Sequence, residues 1–405
     1  MAMNDGSIAT GRGVGSLPRP GAAVRFWGVA YALLVMLVGT NLASALYGRY
    51  EVDFGFSPVV LTAIFAAYVA ALIPALLLGG PLSDAIGRRS VLLPAIGVAA
   101  AAALLFALAD GVAMLFCARV LQGIAVGTAS GALTAALSEL EPRGDGRRAA
   151  LTATVASMGG LGLGPLLGGA LAQYGPDPLR SPFLLEIALL VPAAPALAAL
   201  PSSARRPWRP RRPELPAAMR SAFALTASLS FLAFAVIGVC LALVPSYVAE
   251  LTGDDNLMLG GGAVALMLAF SVAAQLLGHG RPAAALESAG VPLLAAGLAL
   301  LILAGAADSL PLLLAAIAVA GAGQGLTFLA GLAAVNDAAP PERRGEVVST
   351  FYVVVYLGVG LPVVGVGLLA DSVGLLAAVR WFAALIAALC LVAMAVRRRY
   401  VSGPR

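Results

Sequence analysis

The sequence predicts an all-α integral membrane protein in which twelve transmembrane helices form two pseudo-symmetric six-helix bundles. Three observations predict it. Hydrophobic residues fill 60% of the 405 positions, with a mean hydropathy of +0.96, well above the roughly 45–50% apolar share of soluble domains. Twelve apolar runs have the ~17–25 residues that carry a helix across a bilayer core. Signals in the first six runs recur in the last six.

The runs begin near Phe26, Pro58, Val91, Val112, Ala149, Pro182, Phe223, Leu257, Ala289, Leu312, Val347 and Leu375. Counts of eleven or thirteen are alternatives, because Pro192 and Pro195 interrupt the sixth run and the seventh is long. The first run follows Arg25 and ends near Ala43-Ser44-Ala45, as a signal peptide would. It is too long for a signal core, however, and another spanning run follows closely, so it reads as a span. The expected organisation is a tail over 1–25, a bundle over 26–200, an Arg/Pro-rich linker over 201–219, a bundle over 220–396 and a tail over 397–405.

All 25 basic residues are arginines. Basic residues bias short loops towards the cytoplasm. With the N-terminus inside, all fall in cytoplasmic segments except Arg49, Arg180 and Arg380, which land outside, and Arg119, which lies within a span. The expected location is the inner (cytoplasmic) membrane, with both termini cytoplasmic. The pI of about 9.4 then reports topology and not nucleic-acid binding. The linker SSARRPWRPRRPELP, residues 202–216, reads as a solvated connection between the halves, with Trp208 able to rest at the interface.

Enzyme chemistry has little to work with. His279 is the only histidine, and Cys117, Cys240 and Cys390 lie in apolar runs without metal-ligand or pairing spacing. No nucleophile set or phosphate-cradling loop is recognisable. The expectation is no enzyme, no metal and no cofactor.

The repeat is legible at two places. The fourth span has Gln122-Gly123 followed by Gly127, and the tenth has Gln324-Gly325 followed by Gly331. The fifth reads GPLLGGALAQYG and the eleventh LPVVGVGLLADSVG, sharing Pro165/Gly168 and Pro362/Gly365. Two halves of six spans each share one orientation, which makes the repeats parallel about an axis along the membrane normal.

Three motifs carry the functional reading. Residues 80–92, GPLSDAIGRRSVL, place Gly80, Asp84, Gly87, Arg88 and Arg89 in the turn between the second and third spans. Gly87 permits a tight reversal, and the arginines hold the loop inside. Residues 115–133 place Arg119 inside the fourth span, where Gln122, Ser130 and Thr134 fall within about 60° of Arg119 at about 100° per residue. Residues 160–175, GLGLGPLLGGALAQYG, set Gly160, Gly164 and Gly168 on one face beside Pro165 and Gly169. Such a face lets another helix approach closely.

These motifs resemble those of the major facilitator superfamily. Residues 80–92 are similar to its signature between spans two and three, with Ala85 in place of the usual basic residue. Arg119-x-x-x-Gly123 resembles an element of its fourth helix, and residues 160–169 resemble its antiporter motif. The resemblance implies alternating access, with Asp84 meeting the N-terminus of the eleventh helix near Gly345 to Val347 when the inner gate is shut. It also implies export of small, amphipathic organic molecules by exchange for protons, by a monomer in the lipid bilayer.

The candidate substrate or proton-coupling residues are Asn41, Arg119, Gln122, Glu186 and Gln324, with aromatic residues of spans one, two, seven, ten and eleven as weaker cavity-lining candidates. Arg119 either draws anionic groups or tunes a nearby carboxyl. Alternatives are a metabolite uniporter or proton symporter of the same fold, and a non-transporting receptor or assembly factor. No carboxyl lies deep in the first span, where many drug exporters carry one.

Overall fold

The computed structural model describes residues 21–201, 207, 215, 219–254, 256–340 and 343–402, without the side chains of 22 and 397–402. Most of the two tails and of the linker, Trp208 included, lie outside the described residues. Among the described residues, twelve helices are long and apolar enough to cross a membrane: Ala23–Phe54, Pro58–Ile86, Arg88–Ala107, Val112–Leu140, Gly146–Tyr174, Ser181–Ala198, Arg220–Thr252, Leu257–Gly278, Ala283–Ala306, Leu310–Ala338, Arg344–Val373 and Leu375–Val396. They are numbered as spans one to twelve. The end of the bundle at Gly87 is termed inner, after the arginine bias, and the opposite end outer.

Local chemistry sets most boundaries. Pro58, Pro182 and Pro311 sit in first turns, where a missing N–H costs nothing. Asp145 and Asn256 accept N–H groups of the turns they open. Spans two and three are separated by Gly87 alone, at φ 93°, and spans eleven and twelve by Gly374 alone, at φ 84°. Both conformations favour glycine. Pro192 and Pro195 lie inside an uninterrupted sixth helix. The ninth begins at Ala283, ahead of the expected Ala289, because it takes in the buried Glu287.

The halves repeat one packing scheme. Span one lies on five and six, two on four, and three on four and six; seven lies on eleven and twelve, eight on ten, and nine on ten and twelve. Glycines bring the backbones together. A side chain at Gly123 or Gly127 would meet the carbonyls of Tyr68 or Leu72 in span two, and one at Gly321 or Gly325 those of Met267 or Ser271 in span eight. This register corrects the expected repeat. Gly331 is six residues beyond Gly325, so it faces another way and meets Ser230 and Phe351. Gly321 and Gly325, four apart like Gly123 and Gly127, are the true counterparts, which puts Ala320 and not Gln324 opposite Gln122.

The two lobes meet through spans two with eleven and five with eight. Gly169 faces the backbone of Leu257 and Met258, and Gly261 faces the Pro165 carbonyl. At the other seam Gly367 faces Thr62 and the Pro58 carbonyl, and Gly360 faces Val69. The antiporter-type motif therefore has two faces. Gly160, Gly164 and Gly168 receive the carbonyl ridge of Leu34, Val38 and Leu42 in span one, inside the lobe, while Pro165 and Gly169 meet the other lobe.

Candidate functional site

The first span supplies the frame. Its α-helix ends at Leu42, passes through a 3-10 turn over Ala43–Leu46, and resumes over Tyr47–Phe54. A helix that stops leaves its last carbonyls without intrahelical partners, and at mid-membrane depth no water is at hand to take them. Two side chains of span four do so. Gln122 Nε2 donates to the Gly39 carbonyl at 2.9 Å, and Arg119 donates to the Thr40 carbonyl at 2.9 Å and to Gln122 Oε1. A cation at a helix C-terminus is also favoured by the helix dipole.

Arg119 is 1% exposed. Its guanidinium carbon lies 5.2 to 6.0 Å from the ring centres of Tyr47, Phe65, Tyr68 and Phe106, an aromatic cage that attracts cations. Its Nε and second terminal nitrogen have no hydrogen-bond partner.

Glu186 comes from span six to the same turn. It is 2% exposed. Its carboxyl fills the notch left by the missing side chain of Gly39, where even a Cβ would overlap Oε1, and Oε2 has no hydrogen-bond partner. Arg119, bonded to the next carbonyl of span one at Thr40, shares this turn with it. Phe183, one turn before Glu186, stacks on Phe106 at 4.7 Å, so the aromatic cage and the acid share a wall.

Asn41 has a structural task. Pro165 cannot donate to the Leu161 carbonyl, four residues earlier, and Asn41 Nδ2 donates to it instead, at 3.2 Å. Four of the five candidates thus converge on residues 39–41 of the first span. Gln324 does not join them: in the second lobe its Oε1 accepts from Ser271 Oγ at 2.6 Å, and Gln275 donates to the same hydroxyl at 3.1 Å. All five are buried. The polarity expected to line a chamber between the lobes is folded into each lobe, because buried polar groups need partners and the broken helix offers them.

The aromatic candidates of the second lobe form a connected wall. Phe234, Phe328, Phe351, Tyr352 and Tyr356 follow one another at centroid separations of 5.0 to 6.4 Å. Phe351 was not singled out in the sequence, nor was Phe106.

At the inner end, Asp84 pairs within its own lobe. Arg88 contacts Asp84 at 2.7 Å and Glu139 at 2.9 Å and also donates to Ser83 Oγ, and the Asp84 side chain is 69% exposed. Arg89 is exposed. The buried Glu141 organises the next inner loop by accepting the N–H groups of Arg143 and Asp145, each at 2.7 Å.

At the outer end the lobes are tied by two related caps that the sequence reading missed. Asp371, near the end of span eleven, accepts Val59 N–H at 3.2 Å and Ser57 Oγ–H at 3.0 Å, at the start of span two. Gln173, near the end of span five, accepts Leu257 N–H at 3.0 Å, at the start of span eight. A signal existed: LADSVG at 369–374 repeats the Leu-x-Asp-x-x-Gly of LSDAIG at 82–87. Between these ties lies a cavity of about 660 Å³, lined by Glu51, Glu250 and residues of both lobes.

Comparisons with known proteins agree with this architecture. The pattern of the Major Facilitator Superfamily matches residues 29–291 and 288–405. The puromycin resistance protein pur8 of Streptomyces alboniger is 36% identical over 156 residues, 37% of this chain and 31% of that protein. A protein of Klebsiella pneumoniae (strain 342) bearing the multidrug-resistance name MdtD is 32% identical over 157 residues, 38% of this chain and 33% of that protein. These matches span about a third of each relative's length. A D-xylose-proton symporter of known structure superposes with a TM-score of 0.75 over 92% of this chain and 96% of its own, at 17% identity, a likeness of fold alone.

Proposed function

The chain belongs to the major facilitator superfamily, a family of transporters and not of enzymes, and from that premise we propose that it exports small amphipathic organic molecules by alternating access, in exchange for protons. It works as a monomer in the inner membrane, with both termini cytoplasmic and the lipid bilayer as its other partner. The observation that carries this reading is the contrast between the two ends of span two. Its outer end is capped across the lobes by Asp371, while Asp84 at its inner end is solvent-exposed and paired inside its own lobe. One end tied and the other free is the asymmetry that a rocking transporter alternates.

In this reading Gly80, Asp84, Gly87, Arg88 and Arg89 form the inner gate, whose closure brings Asp84 to the start of span eleven, where a carboxylate is favoured by the helix dipole. The seam at Pro165 and Gly169 slides and reseals. Arg119, Gln122 and Glu186 form the coupling centre. The aromatic wall from Phe234 to Tyr356 suits planar, apolar groups, which are attracted to ring faces and edges. The export direction is supported by the antiporter-type motif and by relatives named for resistance.

The test is flux in proteoliposomes containing the full chain. Puromycin and a panel of amphipathic dyes are expected to move against an imposed proton gradient, with movement collapsing when an ionophore dissipates it. Flux that ignored the gradient would remove proton exchange from the account, and no flux for any compound would remove export.

A further inference from the structure

The carboxyl of Glu186 is not isolated from the outer surface by apolar groups alone. Beyond Gly39 the first span presents Thr40, Ser44, Tyr47 and Glu51, at successive spacings of four, three and four, the intervals that keep side chains near one helix face. Both ends of this series are fixed by contacts. Arg119 bonds to the Thr40 carbonyl and lies against the Tyr47 ring, the Thr40 hydroxyl donates to the Met36 carbonyl and keeps its lone pairs to accept, and Glu51 lines the outer cavity.

Along it runs a series of buried polar atoms without partners: Glu186 Oε2, Arg119 Nε and its second terminal nitrogen, Ser44 Oγ, Tyr47 OH and Tyr50 OH. Native proteins pair buried polar groups, with protein or with water, and internal waters occupy such polar sites by making about three bonds each. A series of orphaned hydroxyls leading from a buried acid to an aqueous cavity has the composition of a proton path.

We infer that Glu186 is the proton-binding site and exchanges its proton with the outer side along Thr40, Ser44, Tyr47 and Glu51 of the first span. The inference deepens the export reading and rests on it for its purpose.

The step is a simple transfer. A proton from the outer cavity moves along hydroxyls and water to the Glu186 carboxylate, forming one O–H bond, and no other bond is made or lost. The pair of Glu186 and Arg119 goes from net zero to net positive. The spans packed on the sixth are one, three and five, and their other charges lie at the ends: Arg25, Arg88, Arg89, Arg147 and Arg148 inside, Arg49, Glu51 and Asp53 outside. At that depth only the aromatic cage and the neutral acceptors at Thr40 and Gln122 then offset Arg119. An unpaired buried cation is costly, so protonation favours an arrangement that wets or re-pairs it. Arg119 is thereby a positioning residue that converts a proton into a bias on the fold.

The experiment needs no substrate. Infrared difference spectra of the full chain in lipid, acid minus alkaline, are expected to contain a protonated-carboxyl band that Glu186→Gln removes and Glu186→Asp retains at a shifted frequency, with Glu186→Asp showing that the site still folds. Ser44→Ala combined with Tyr47→Phe is expected to slow hydrogen–deuterium exchange of that band by about a hundredfold, the lower end of the range for losing positioned proton-transfer groups. If Glu186→Gln leaves the spectrum unchanged, Glu186 does not hold the proton. If the double variant exchanges at the original rate, the path is wrong. Because no transported compound is involved, either outcome is distinct from a failure of the export reading.

Discussion

Asp371 of the second lobe accepts the backbone N–H of Val59 of the first, at 3.2 Å. The acid of one long helix thereby caps the opening turn of its antiparallel neighbour in the other lobe. Asp84 occupies the same Leu-x-Asp-x-x-Gly context at the opposite end of that neighbour. In the alternating access proposed above, the two acids would tie opposite ends of the pair formed by spans two and eleven in turn.

Replacing Asp371 with Asn is expected to loosen the outer tie. A carboxylate at a helix N-terminus contributes about 0.3–1 kcal/mol, equivalent to roughly a two- to fivefold shift towards the outward-open population. Distances between spin labels at Gly55 and Gly253, on outer turns of opposite lobes, report it. An unchanged distance distribution would show that Asp371 is no latch.

The glycines at the lobe seams are expected to resist enlargement. A side chain at Gly169 or Gly367 would strike backbone or Thr62 of the other lobe. Gly169→Val and Gly367→Val should prevent outer closure, read as increased labelling of a cysteine placed at Ala45, while Gly365→Val, with open space around it, should not. Equal labelling in all three would refute the seam assignment.

Arg119→Leu removes the donor to the Thr40 carbonyl and to Gln122 Oε1. Leaving a buried acceptor unsatisfied costs about 1–3 kcal/mol, so a marked fall in thermal unfolding temperature in detergent is expected. Arg119→Lys retains the charge and should lose less. A melt that does not distinguish the two variants from wild type would contradict this role for Arg119.

Asn41→Leu keeps the branched shape of the side chain but leaves the Leu161 carbonyl, already deprived by Pro165, without a donor. The expected loss is about 1–3 kcal/mol, the cost of an unsatisfied buried group. In the background of Pro165→Ala, which restores the missing N–H, the same substitution should cost distinctly less. Additive losses in this double-mutant cycle would rule out the proposed compensation.

Asp84→Asn removes an exposed ion pair whose own stabilising effect is small, about 0–1 kcal/mol. Protein yield and melting should stay near wild type while gradient-driven flux falls at least tenfold, because the gate and not the fold depends on it. Retained flux would exclude Asp84 from gating.

Much of the architecture was legible before any coordinates. Spanning helices are set by apolar length, so their starts were read to within a few residues, and the ninth begins furthest from its apolar run because its first turns take in Glu287. Gly87 was legible as a reversal because few other residues adopt its backbone conformation. The site was only half legible. Arg119, Gln122, Asn41 and Glu186 stood out as polar residues in apolar runs, yet nothing local to any of them says that the other three gather on the turn of the first span that carries Asn41.

The amino-acid sequence by itself determined the twelve crossings, the two-lobed repeat and the residue types present at each depth, because hydrophobic burial and helix length act along the chain. Only the tertiary structure decided which carbonyl each buried side chain serves, that Glu186 fills the notch at Gly39, and that Asp371 and Gln173 tie the lobes. Those outcomes depend on the rotation and register of helices far apart in sequence, and close packing through glycine fixes them to within a single turn.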